Sequence, residues 1–283
     1  MRTIKQQHQA VSSPIADLIT YRALPTHSVE HLDPFLFLNH HGPQVYRPNN
    51  QGLPFGPHPH RGFETVTFIL TGDIMHQDTG GHQSIIEAGG IQWMTAGSGL
   101  IHAEVSSPEF KRNGGPLEIL QLWVNLPAKD KMTAPAYTGL QEPEIPTVIL
   151  DEGRVQIHAV SGEWAGTAGG YQSLTDIQLA TITFQAGGQL QLSIPAEHTV
   201  FFYTIQGKFR VNGQETEARY LTEFNYDGDK VHIEGLSDAV LLLGHALPFQ
   251  EPIVAAGPFV MNTEAEIQQA YQDYRAGKFG RWQ

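Results

Sequence analysis

Phe55-Gly56-Pro57-His58-Pro59-His60-Arg61-Gly62-Phe63-Glu64-Thr65-Val66-Thr67-Phe68-Ile69-Leu70 decides how this chain is read. Two histidines flanking one proline run into a segment rich in β-branched and aromatic residues, the composition of a buried strand. Successive side chains on a strand point to opposite faces, so His58 and His60 share one side. Further on, Gly97-Ser98-Gly99-Leu100-Ile101-His102-Ala103-Glu104 ends in a second pair of the same spacing, after glycines that permit a bend. Facing each other, two such strands converge three imidazoles and one carboxylate. That donor set suits a divalent transition metal and leaves coordination positions open for substrate or oxygen.

Either pair alone is a cheap coincidence in a chain with 14 His, and Val231-His232-Ile233-Glu234 repeats the HxE spacing without leading glycines or a companion HxH. Seven of the 14 His lie between residues 40 and 102, which favours His58, His60, His102 and Glu104 as ligands and leaves His232 and Glu234 aside. Glu64, counted by twos from His60, falls on the ligand face and is an alternative ligand or an acid that supports the ligands from behind them, unless Gly62 breaks the strand. Thr71-Gly72-Asp73-Ile74 reads as a hairpin turn that pairs residue 69 with residue 76. His76 then points away from the face of Val66, Phe68 and Leu70 and is left out of the site. His40 and His41 read as a strand end, and His82 as a solvated loop residue. Phe55, Phe68, Trp93 and Met94 are the candidate walls of a substrate pocket.

Composition bounds the rest. Across 283 residues, 40% apolar and 16% charged residues with 29 Gly and 18 Pro favour a turn-rich all-β chain with room for two cores. The 17 basic against 29 acidic residues give a net charge of -12 with no basic run, so direct nucleic-acid contact is not expected. Without cysteine, metal ligands must be His or carboxylate. The N-terminus lacks a signal-like apolar core and no run reaches membrane-spanning length, so a cytoplasmic monomer away from membranes is the expectation.

Strand-like runs continue to Leu126, and a Lys-, Pro-, Gly- and Glu-rich connection follows from Ala128 to Pro146. It suggests domains at 1–138 and 139–283. The second half again alternates strands and turns, as an internal repeat. Setting Gly228-Asp229 against Gly89-Gly90 puts His232 near Gln92 and Trp93, and Ala196 replaces the first His of the HxH, so this half is expected to be metal-free. In the tail, Thr263 and Glu266 have capping-box spacing and Gly277 supplies a stop, with Ile267, Tyr271 and Tyr274 as one apolar stripe. A short C-terminal helix docked on a sheet is expected.

The HxH run through Thr67, Gln92-Trp93-Met94-Thr95-Ala96-Gly97-Ser98-Gly99, His102-Ala103-Glu104, Gln121-Leu122-Trp123-Val124-Asn125-Leu126 and Gly257-Pro258-Phe259-Val260-Met261-Asn262-Thr263 together resemble the pirins of the cupin superfamily. The resemblance runs from about Asp33 to the C-terminal helix. It implies two cupin (jelly-roll) β-barrel domains with a short C-terminal α-helix, the first holding iron through His58, His60, His102 and Glu104 and the second metal-free. A glutamate placed like Glu64 is a ligand in many other cupins but not in pirins, so the resemblance favours Glu104. It also implies Fe(II), with Mn, Co, Ni, Cu or Zn as other metals such donors accept. The implied activity is a quercetin 2,3-dioxygenase type reaction between O2 and an aromatic or enolic small molecule. Glu104 would then be ligand and possible base, with Glu64 the alternative base. Animal pirins imply a different reading, a metal-dependent binding or regulatory protein that contacts transcription factors or enzymes.

Overall fold

A computed structural model describes residues 1–282. The chain forms two compact units, one of Met1–Val11, Arg22–Pro34 and Pro143–Pro248, the other of Ser12–Tyr21, Phe35–Glu142 and the chain from Phe249 on. The latter is called here the histidine-rich unit. Each unit carries one four-stranded and one seven-stranded antiparallel sheet, the jelly-roll arrangement expected.

Six strands of the histidine-rich unit position its polar residues: β1 (Phe55–His60), β2 (Phe63–Thr71), β3 (Asp73–Asp78), β4 (Ile91–Thr95), β5 (Leu100–Val105) and β6 (Gly115–Asn125). β1, β5 and β3 lie side by side in the small sheet, and β4, β2 and β6 in the large one. Ile69, Leu117 and Ile119 of the large sheet pack on Ile74 and Ile86 of the small one, which brings the two sheets face to face over a common core. Gly72, at φ +86°, turns the chain from one sheet into the other. The expected hairpin pairing of residues 69 and 76 therefore does not form, and β2 and β3 sit in opposite sheets.

The other unit repeats the plan with an apolar interior. Its small sheet runs Gln189–Ser193, Lys230–Gly235, Lys208–Val211, Gln214–Glu217, in the same relative order as Phe55–His60, Leu100–Val105, Asp73–Asp78 and Gln83–Glu87. Lys230–Gly235 is thus the counterpart of β5, which corrects the alignment of His232 with Gln92 and Trp93. Val231 and Ile233 enter the core with Phe184, Phe202, Phe209 and Leu241, and alternation turns His232 and Glu234 outward. There Glu234 accepts a hydrogen bond from Arg210 at 2.7 Å.

The division at 138/139 differs from these units at both ends. Ile4–Gln9 pairs with Tyr220–Phe224, and the tail returns to the histidine-rich unit. A helix α1 spans Glu264–Arg275, with Thr263 and Glu266 forming the capping box and Gly277 at φ +74° after it. Ile267 and Ala270 bury against Phe259, Met261 and Phe279, and Tyr274, expected in that stripe, stays exposed. Among the described residues no helix is long and apolar enough to cross a membrane.

Candidate metal centre

β1 and β5 pair antiparallel with His58 opposite His102 and His60 opposite Leu100, so all three histidines project from one face. Their ring centroids lie 4.4 Å (His58 to His102), 4.8 Å (His58 to His60) and 5.0 Å (His60 to His102) apart. One ring nitrogen from each can be chosen so that all lie within 4.8 Å of one another. His60 and His102 are buried and His58 is half-buried. His58 Nδ1 donates to the Gly56 carbonyl at 2.7 Å, and His60 Nδ1 to the Pro258 carbonyl at 3.2 Å. A carbonyl can only accept, so each ring carries a proton at Nδ1, which leaves Nε2 as the nitrogen that can ligate. Burial, and then the adjacent His58, push the His60 imidazole down to about 3. Burial, and then His60, hold His102 well below its ordinary value. Both rings are therefore neutral, the form a metal requires.

Both ring nitrogens of His102 are buried, and neither has a hydrogen-bond partner among the described residues. A buried polar atom left unpaired costs about 1–3 kcal/mol, so such an atom calls for an explanation. A divalent cation held jointly by the three imidazoles supplies one for a single nitrogen of the ring, and the donor set fits it.

Glu104 is buried on the same strand. Thr67 Oγ1 donates to its Oε1 at 2.7 Å and Gln121 Nε2 to its Oε2 at 2.5 Å. Thr67 and Gln121 are cross-strand partners on β2 and β6, so the large sheet clamps a carboxylate carried by the small one. The group of ligand atoms within 4.8 Å comprises the three imidazoles, with Glu104 beside it in this clamp.

That clamp identifies which face of β2 looks inward. Against β6 the register is unbroken from Ile69 to Phe63, so Phe63, Thr65, Thr67 and Ile69 share the face turned toward Glu104. Glu64 and Phe68 are on the opposite face, and so is Trp93, whose neighbours Gln92 and Met94 pair with Thr67 and Thr65. Glu64 as alternative base and Phe68 and Trp93 as pocket walls are thereby corrected, while Met94 keeps the inward side. Phe55, opposite Glu104 in the register, stands 5.2 Å from His41. Its place beside the ligand strand keeps it a candidate wall.

The inward aromatic residues that the sequence reading omitted are Phe63 and Trp123, 4.9 and 5.4 Å from the His60 ring, with Phe37 stacked on Trp123 at 4.6 Å. Counting by twos from Thr67 and Gln121 would have found Phe63 and Trp123, once the inward face was known. His76 is the other omission. It lies opposite Glu104 on β3, 5.5 Å from the His102 ring, and its Nε2 donates to Asp78 at 2.9 Å. It was left out through a hairpin that does not form; in the facing sheet its position opposite Glu104 puts it on the inward side. His82, expected to be solvated, is half tied down, because Asp78 accepts from its Nδ1 at 3.1 Å.

Glu64 supplies a test of its own. Its Oε1 accepts from Thr95 Oγ1 at 2.6 Å, and burial, only partly offset by that bond, pushes its carboxyl up to about 7 from 4.5. The folded state then holds a proton that the unfolded chain releases above pH 4.5, so stability is lost as pH rises from 4.5 to 7. Glu64→Gln should gain about 3 kcal/mol relative to wild type at pH 8 compared with pH 5. Urea unfolding at the two pH values reads this difference, and an equal effect at both would contradict the buried neutral acid.

The sequence profile described as Pirin matches residues 17–124, and that described as Pirin C-terminal cupin domain matches residues 179–280. Pirin-1 of Arabidopsis thaliana is 38% identical, covering 88% of this chain and 84% of its own length. The pirin of Mus musculus is 36% identical over 92% of this chain and 87% of its own. The crystal structure of a quercetin 2,3-dioxygenase from Acinetobacter baumannii superposes with a TM-score of 0.91 at 34% identity, covering 99% of both chains.

Proposed function

This chain belongs to the pirin family, and from that premise we propose that it is an oxidoreductase of the quercetin 2,3-dioxygenase type. In this reading O2 reacts with a flavonol-like enolic substrate, and a divalent metal, Fe(II) first, is held by His58, His60, His102 and Glu104. The observation that carries the reading is His102, buried and without a hydrogen-bond partner among the described residues, beside two imidazoles whose Nδ1 atoms are committed to backbone carbonyls.

When bound, the metal supplies Lewis acidity toward an enolic oxygen and redox chemistry toward dioxygen. Three neutral imidazoles and one carboxylate leave a 2+ ion with a net charge of about +1, which favours an anionic oxygen ligand over a neutral one. Each Glu104 oxygen accepts one hydrogen bond and retains lone-pair capacity, so it can ligate or take the proton of a substrate hydroxyl. Phe63 and Trp123 offer flat apolar surface beside His60, where an aromatic ring system can stack.

Oxygen consumption on adding quercetin to anaerobically Fe(II)-loaded protein tests the proposal, with His60→Ala as control. Uptake matched to quercetin loss in wild type and absent in the variant is the expected result. No uptake with one iron bound per chain would overturn it in favour of a metal-dependent binding protein. Loading Mn, Co, Ni, Cu or Zn in parallel ranks the metals by the same readout.

A further inference from the structure

The two ligand-bearing strands are tied down by chain almost two hundred positions away. His60 Nδ1 reaches Pro258 across 198 residues. Val260 N donates to the Arg61 carbonyl at 3.1 Å, and the buried Lys131 ammonium bridges the Gly62 and Val260 carbonyls at 2.9 and 3.1 Å. Gly62 is required at this crossing, since a Cβ there would stand 2.0 Å from the Val260 carbonyl oxygen. The side chain of Arg61 fastens the next turn: its Nε donates to Ser98 at 2.7 Å, its Nη1 to Asp273 at 2.9 Å, and its guanidinium carbon lies 4.6 Å from the Phe279 ring centroid. The second ligand strand is held by the same segment. Phe279 fills the space a side chain at Gly99 would need, and the Phe279 carbonyl accepts from Thr79 Oγ1, which itself accepts from Ile101 N.

We infer that Pro258–Phe279 is a strap that presets the metal centre: Pro258 fixes His60 with Nε2 free, and the Arg61–Asp273–Phe279 latch keeps that carbonyl in place. Docking of the strap then sets metal affinity, although no strap residue is a ligand. A partner to the nitrogen opposite the metal is the kind of contact whose loss weakens binding about 10- to 100-fold. Neutralising Asp273 leaves the buried Arg61 guanidinium with the Ser98 carbonyl and the Phe279 ring but without its carboxylate, and so loosens both ligand strands at once. The inference rests on the reading of His58, His60 and His102 as a metal centre, and its test separates the two.

Asp273→Asn and Phe279→Ala are compared with wild type and with Ile233→Val, a core change in the other unit. Two quantities are read: Zn(II) affinity by competition with a chromogenic chelator, and the His60 tautomer in metal-free protein by long-range 1H–15N NMR. The strap variants are expected to bind Zn(II) about 10-fold more weakly and to show mixed His60 tautomers, with both properties unchanged in Ile233→Val. Unchanged affinity and tautomer in the strap variants, or equal weakening in Ile233→Val, would overturn the strap. A wild-type protein that binds no Zn(II) overturns the metal centre instead, and the metal-free tautomer still decides the strap.

Discussion

His102→Ala abolishes tight divalent-metal binding, by on the order of 10^3-fold or more, while leaving metal-free stability within about 1–2 kcal/mol of wild type. The two halves of this result have separate causes. His102 lies opposite His58 in the β1–β5 register and within 5.0 Å of both other rings, so its removal leaves the half-buried His58 and the buried His60 without a third donor. Without metal, however, the wild-type ring contributes two unpaired buried nitrogens, and deleting them offsets much of the cavity that alanine leaves. His102 is also held neutral, well below its ordinary value, chiefly by burial. Its stabilising contribution is therefore complete above the unfolded histidine pKa and is lost as pH falls below it, so the variant should have the flatter acid limb. Competition with a chelator measures the affinity, and urea unfolding from pH 7 to pH 4 measures the rest. His232→Ala is the matched control, since that ring lies on the outward face of its strand. Equal loss of metal from both variants would move the centre to the wrong HxE.

Glu104→Gln should lower turnover about 10^2-fold or more while changing stability little. Both carboxylate oxygens accept hydrogen bonds, one from the Thr67 hydroxyl and one from the Gln121 amide. A glutamine amide presents one acceptor and one donor in the same volume. The Thr67 hydroxyl can rotate to accept, or the Gln121 amide can flip to present its oxygen, so the clamp can be rebuilt with inverted polarity. What cannot be rebuilt is the negative charge and the proton acceptor. Turnover falls if Glu104 takes the substrate proton, and metal affinity falls with it if the carboxylate also ligates. Steady-state oxygen uptake with metal content measured on the same samples reads both. Unchanged turnover would assign the proton to water, because Glu64 faces the other side of its strand.

Much of the site was legible because it depends on local periodicity. His58 with His60, and His102 with Glu104, share faces whatever surrounds them, since alternation along a strand is a property of the backbone. The capping box of α1 is likewise complete within four residues, and Thr263 and Glu266 form it as expected. Glu64, Phe68, Trp93 and His76 were misplaced for one shared reason. Alternation sorts a strand into two faces without saying which one looks into the core. The hairpin expected at Gly72-Asp73 put β2 and β3 in one sheet, although residue 72 sends the chain across to the facing one.

The sequence by itself determined a turn-rich all-β chain in two halves, the helix at its end and the shared faces of His58 with His60 and of His102 with Glu104, because period-2 patterning, turn glycines and capping residues act between near neighbours. The two barrels were implied by the resemblance, and the pairing that brings the three histidines together was decided by the fold. The tertiary structure alone decided that β2 presents Thr67 rather than Glu64 to the site, that Gln121 and Thr67 clamp Glu104, and that Pro258 sets the tautomer of His60. Each of these depends on which sheet packs against which, or on a contact such as Arg61 to Asp273 that spans 212 residues. Contacts of that kind leave no local pattern, because their partners are chosen by the closing of the core rather than by the chain on either side.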